Sequence, residues 1–251
     1  MKAFPKDVTV QTMTTRHIGV ENELGVNGMI EAVQAEISKR GLLQDIGFDG
    51  GGREFRTNPI SIRSLKQVRG FKYMTEYYVG LKNNTRVLTS GGTHIHISIL
   101  NSDHPNMEAN ATAMAAAFYE QFQKIAGRQT DWAWQTRQRT IAEVKEYLAN
   151  RKSKEGRVYH TKGSMLNPTR HQTLEFRGPK GSNDGEEILA WIEFLDNVVK
   201  ACNRESIEGM TFKRLLRGKR ISAYASSLKG WRELTKADLD KKFKGAALHA
   251  R

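Results

Sequence analysis

Sulfur chemistry has almost no foothold in this chain. Cys202 is the one thiol among 251 residues, so an internal disulfide is excluded and a reducing, cytoplasmic location is the expectation. No apolar run approaches the roughly 20 residues needed to span a bilayer, which argues against a membrane partner. The opening "MKAFPKDVTV" has no apolar core of the kind that directs secretion. No Walker-type Gly-x4-Gly-Lys-Ser/Thr loop occurs, so a P-loop nucleotide site is excluded. Internal repeats and low-complexity blocks are missing too. Negative charge is in deficit, with 27 Asp and Glu against 40 Lys and Arg, a net +13. That surplus suits phosphates, whether of a nucleotide, a nucleic acid or an acidic surface.

What is present begins with alternation. In "GGTHIHIS" (Gly91 to Ser98) a strand would put His94, His96 and Ser98 on one side and Ile95 and Ile97 on the other. "RHIGVENEL" repeats the pattern, with Glu21 and Glu23 opposite Ile18, Val20 and Asn22. "LLQDIGFDGGGREFRTNPIS" reads as two strands about a glycine turn, carrying Glu54 and Arg56. "HQTLEFRGP" supplies Glu175 and Arg177 on another strand. Helices are expected at 28–41 (closed by Gly41), 61–81 (capped by Ser61), 106–127 (stopped by Gly127), 141–151 and 182–204. Alternating strands separated by helices predict an α+β fold: an antiparallel sheet with helices over one face.

Any one of these carboxylates, taken singly, fits a solvated strand face. Glu-x-Glu, Glu-x-Arg, His-x-His and Glu-x-Arg together would line up if the strands are neighbours. Clustered carboxylates repel and take up protons unless a cation compensates them. Oxygen donors with added imidazole suit Mg²⁺ or Mn²⁺ and also admit Zn²⁺. Interleaved arginines point to a phosphate or carboxylate in the same cavity, and divalent ions with arginines are the equipment of phosphoryl transfer.

The motifs "IGVENEL", "FDGGGREFRTNPIS", "GGTHIHIS" and "TLEFRGP", in that order, resemble the amidoligases of phages and bacteria. These form a compact branch of the carboxylate–amine ligase superfamily that includes glutamine synthetase. The resemblance covers about 16–204 and implies a curved antiparallel sheet like a glutamine synthetase catalytic domain. It implies metal ligation by Glu21, Glu23, Glu54, His94 and Glu175, with nucleotide contact from His96, Arg177 and Arg56. Glu54 and Arg177 are the implied catalytic residues: Glu54 on the amine side, Arg177 on the transferring phosphoryl group. The implied activity uses ATP and Mg²⁺ (or Mn²⁺) to join a carboxylate to an amine, through an acyl phosphate, on an amino acid, peptide or protein. "DGGG" departs from the family's serine-containing turn.

Two rival classes use the same residues. One is a phage nucleic-acid-binding protein on a ligase-derived scaffold, with Trp132 and Trp134 beside Arg137 and Arg139 as stacking and phosphate groups. The other is a metal-dependent phosphohydrolase or nuclease. A catalytic domain over 1–207 and a basic extension over 208–251 are expected, the latter open to nucleic acid, with the oligomeric state undetermined. If the chain is phage-encoded, the location is the host cytoplasm. Cys202 and the tyrosines Tyr73, Tyr77 and Tyr78 read as packing residues.

Overall fold

A computed structural model describes residues 14–39, 41–49, 52–127, 166–168, 172–205 and 210–228. Its centre is one antiparallel sheet. The strands are β1 (His17–Val26), β2 (Leu43–Asp49), β3 (Gly52–Thr57), β4 (Ile60–Ser61), β5 (Thr85–Val87), β6 (Thr93–Ser98), β7 (Leu166–Pro168) and β8 (Thr173–Phe176). The order is β2-β3-β1-β6-β8-β7, with β4 and β5 also pairing to the long β1. Alternation decides the faces. Ile18, Val20, Phe55, Ile95, Ile97, Leu174 and Phe176 are buried on one side, and Glu21, Glu23, Glu54, Arg56, His94, His96 and Glu175 of the same strands fall on the other.

The helices are α1 (Ile30–Ser38), α2 (Ile62–Leu65), α3 (Val68–Asn84), α4 (Met107–Ala117), α5 (Tyr119–Ala126), α6 (Gly185–Cys202), α7 (Phe212–Leu215) and α8 (Lys219–Ser227). They cover the apolar face. Trp191 of α6 lies 5.4 Å from Phe176 of β8, ring to ring. Phe122, Phe194 and Phe212 surround that contact at centroid separations of 5.2 to 5.9 Å, so α5, α6 and α7 share one aromatic cluster. Asn22 is one of the polar residues buried on this face, with Thr57 and Thr93. It donates to the Ser182 carbonyl at 2.9 Å and accepts from the Tyr78 hydroxyl at 3.0 Å. A buried amide left unpaired would cost about 1–3 kcal/mol, and these partners remove that penalty.

Two expected helices are broken. The 61–81 segment divides after Leu65, although Ser61 caps as expected, accepting from Ser64 N–H at 3.0 Å. At the break Gly70 packs so close that a Cβ there would stand 2.0 Å from the Ser64 carbonyl oxygen. The 106–127 segment divides at Phe118, whose φ of −105° and ψ of 21° leave the helical region. Gly127 closes the second half in the left-handed conformation, φ 66°. Strand β7 and the short β4 and β5 were not expected. The expected 141–151 helix, with Trp132, Trp134, Arg137 and Arg139, lies outside the described residues. Cys202 and the Tyr77 and Tyr78 rings are buried, as packing residues should be, and burial pushes the Cys202 thiol pKa up.

Candidate functional site

Strand register brings the separated motifs together. Glu21 pairs with Arg56 on β3 and with His94 on β6; Glu23 pairs with Glu54; His96 pairs with Glu175 on β8. Arg177 follows directly after β8. Thus Glu21, Glu23, Glu54, Arg56, His94, His96, Glu175 and Arg177, spread over 157 positions of sequence, occupy one patch of one sheet face. All eight residues singled out in the sequence are there.

His94 is the hub. Its side chain is 3% exposed, with Nδ1 3.5 Å from Glu21 and 3.7 Å from Glu175, and Nε2 3.4 Å from Glu23. His96 Nε2 lies 3.5 Å from Glu21 and 3.9 Å from Glu175. Arg177 donates to Glu175 at 2.5 Å. Two overlapping sets, Glu21–Glu54–His94 and Glu21–His96–Glu175, each offer ligand atoms within 4.8 Å of one another. Glu21 belongs to both.

The electrostatics follow from that crowding. Burial would raise the Glu21 pKa, but its contacts with His94 and His96 hold it far below the ordinary carboxylate range. For Glu54, burial and the Glu21 charge prevail over Arg56 and push the pKa up to about 7. Burial alone would lower His96; the nearby Glu21 and Glu175 carboxylates raise it instead. One glutamate is held low, its neighbour titrates near neutrality, and the His96 imidazole is held above its ordinary value. A divalent cation would release that strain.

Three features that the sequence reading did not single out set the frame. Asp45 of β2 pairs with Arg56 at 3.4 Å. Gly47 lies beneath the same guanidinium, where a Cβ would come within 2.9 Å of Arg56 Nη2. Alternation within "LQDIGFD" carries that signal, since Asp45 and Gly47 are two apart and face Arg56 and Glu54. Third, two glycine loops clamp Glu23. Gly92 N–H donates to its carboxylate at 2.5 Å, and Gly181 N–H donates to the Gly91 carbonyl at 2.8 Å. A Cβ on Gly91 would sit 2.5 Å from the Glu23 carbonyl oxygen, and one on Gly181 3.1 Å from the same atom.

No protein-family model matches the chain, and no curated protein matches it. Among solved structures, one match is the crystal structure of the complex between Prokaryotic Ubiquitin-like Protein Pup and its Ligase PafA. The TM-score is 0.38 and the identity 13%, over 95% of this chain and 58% of that one. The chain therefore spans less than two thirds of that chain's length. At this level of likeness the chemistry has to be read from the side chains themselves.

Proposed function

We propose that the chain is an ATP-dependent carboxylate–amine ligase, forming an amide through an acyl phosphate on an amino acid, peptide or protein. The observation that carries the reading is the pair of ligand sets sharing Glu21, with Arg177 beside Glu175 at their edge. The donor chemistry fits hard divalent cations: carboxylate oxygens dominate, and imidazole completes each set. Glu21, Glu54 and His94 would hold one ion and Glu21, His96 and Glu175 another, with Glu23 alongside. Bound there, Mg²⁺ or Mn²⁺ would supply the positive charge that a triphosphate needs to approach four glutamates.

The chain's own groups do the rest. Arg177, 22% exposed at its side chain, can donate to a phosphoryl oxygen while Glu175 keeps its guanidinium oriented. Such preorganised donors are where catalysis of group transfer gains most. Glu54 has a pKa near 7 in the ion-free protein; a bound ion would lower it, and the carboxylate oxygen not on the ion would accept the proton an attacking ammonium must lose. Arg56 is neutralised by Glu54, Asp45 and Glu21, so it acts by holding Glu54 in place. In balance, the substrate carboxylate oxygen takes the γ-phosphoryl group and ADP leaves; the amine nitrogen then bonds the acyl carbon, and phosphate departs with the acyl oxygen.

The test is ATP turnover in the presence of Mg²⁺ with pooled carboxylates, with and without amines. Hydroxylamine serves as a trap that converts an acyl phosphate to a hydroxamate. ADP and hydroxamate formation that requires the carboxylate supports the ligase. Phosphate release indifferent to both co-substrates would replace it with the phosphohydrolase reading.

A further inference from the structure

On the helical side of the molecule, away from the carboxylate face, α7 and α8 are joined by a turn that the core holds in place. Asn197 of α6 donates to the Leu215 carbonyl at 3.0 Å and to the Arg217 carbonyl at 2.5 Å. One helical turn earlier, Glu193 accepts from the N–H groups of Arg220 and Ile221 at 3.0 and 2.9 Å, which caps α8. Gly218 has φ 145°, and a Cβ there would fall 2.2 Å from the Glu193 carboxyl carbon. Phe212, Leu215, Ile221 and Ala225 are buried beneath. The turn is therefore built, and what it presents outward is charge.

Arg214, Arg217 and Lys219 are exposed and, among the described residues, form no ion pair. Beside them the exposed α8 residues Ser222, Ala223, Ser226 and Ser227 are short, and Arg220 is turned to Glu186. The neighbouring carboxylates at the start of α6 are already engaged: Glu186 with Arg220 at 3.2 Å, Glu187 with the Tyr224 and Ser182 hydroxyls at 2.8 and 2.7 Å, and Asp184 as the α6 cap. The stretch 209–232 holds seven Lys or Arg and no Asp or Glu.

We propose that this turn is a docking surface for the phosphodiester backbone of a nucleic acid, with Arg214, Arg217 and Lys219 as its phosphate contacts. A lipid surface fits less well, because a membrane-seated helix needs an apolar face. The large exposed apolar residues, Met29, Phe48, Val79 and Val87, all lie in other elements. An acidic protein would be expected to meet an apolar or aromatic anchor at the centre of its contact, and among the described residues no large exposed apolar side chain lies on this surface. Fixed cations beside small residues suit a partner read by charge alone, one whose backbone can come close.

The experiment uses the full chain with a labelled random-sequence DNA duplex and, separately, an RNA hairpin, across a salt series. Binding should weaken steeply with salt for at least one of them. The triple variant R214Q/R217Q/K219Q should flatten the log–log salt slope by about 2.7 on duplex DNA, roughly 0.9 per lost phosphate contact. The single variant R217Q should account for about a third of that. The charge-matched control K39Q/K72Q/K82Q, on exposed residues elsewhere, should leave the slope unchanged. Equal losses from both triples would reduce the effect to net charge and overturn the proposal. So would an unchanged slope in R217Q, tighter binding to an acidic peptide or to anionic vesicles than to either nucleic acid, or no binding at low salt.

Discussion

Glu21 and Glu54 show how far the surroundings of a single side chain control its proton. Glu54 holds a proton in the folded state between its ordinary value of 4.5 and about 7, where the unfolded chain has lost it. Its contribution to stability is therefore complete below 4.5, falls steadily across that window and is a full penalty once pH has risen through about 7. Glu21, held low, does the reverse: its stabilising share is complete above 4.5 and disappears as pH falls. In the absence of divalent ions, E54Q should raise the urea midpoint at about pH 8 and leave it unchanged at about pH 4. A midpoint that moves equally at both values would contradict the assignment. At the other ligand set, E175A should weaken Mn²⁺ binding, followed by electron paramagnetic resonance, by more than about 100-fold, beyond the loss typical of an outer-shell partner. Its circular dichroism should stay unchanged, and ATP turnover should fall with the metal. The eight site residues were legible because each sits two positions from another ionisable group, the period of a strand. Asp45 was not, because its partner Arg56 lies across a hairpin whose register only the folded chain defines.

Among the elements that frame the site, the glycine loops around Glu23 tolerate little change. Gly91 faces a backbone oxygen that cannot step aside, whereas Gly47 faces the movable end of Arg56. G91A is expected to cost about 2–3 kcal/mol in urea denaturation, the upper part of the overpacking range. G47A should cost under about 1 kcal/mol yet displace the guanidinium from Glu54, moving the pH profile of turnover to higher pH. Equal stability losses in the two variants would refute this distinction. The helices show where sequence reading stops. Ser61 and Gly127 announced a start and an end correctly, since capping is chemistry local to a few residues. The breaks after Leu65 and at Phe118 carry no such signal. The first depends on the close approach of Gly70 to Ser64, the second on burial of Phe118 against Phe212, 5.5 Å away. Strand β7 escaped notice because three residues are too few to establish a period.

Across the whole molecule, one aromatic cluster ties the sheet to the segment beyond α6. Phe212 touches Phe118, Phe122 and Phe194, so F212A should destabilise the protein by about 3–5 kcal/mol. Removing that anchor should also loosen the basic turn, detectable as faster amide exchange in α8 than in β1. Unchanged exchange in α8 would show that Asn197 and Glu193 suffice. The antiparallel α+β architecture was legible because the site strands alternate ionisable with apolar residues over much of their length, which a parallel sheet buried on both faces would not do. The pairing of β1 with four other strands was not, because no local pattern states which strands meet. That pairing also governs which length changes the gene can tolerate. Each carboxylate and imidazole alternates with a residue of the oily interior, so adding or deleting one amino acid within β1 or β6 would invert the strand beyond it. Glutamates would turn toward the helices and isoleucines toward water, abolishing activity and folding in a single step. Lineages of this protein should therefore vary in length between strands and almost never inside them.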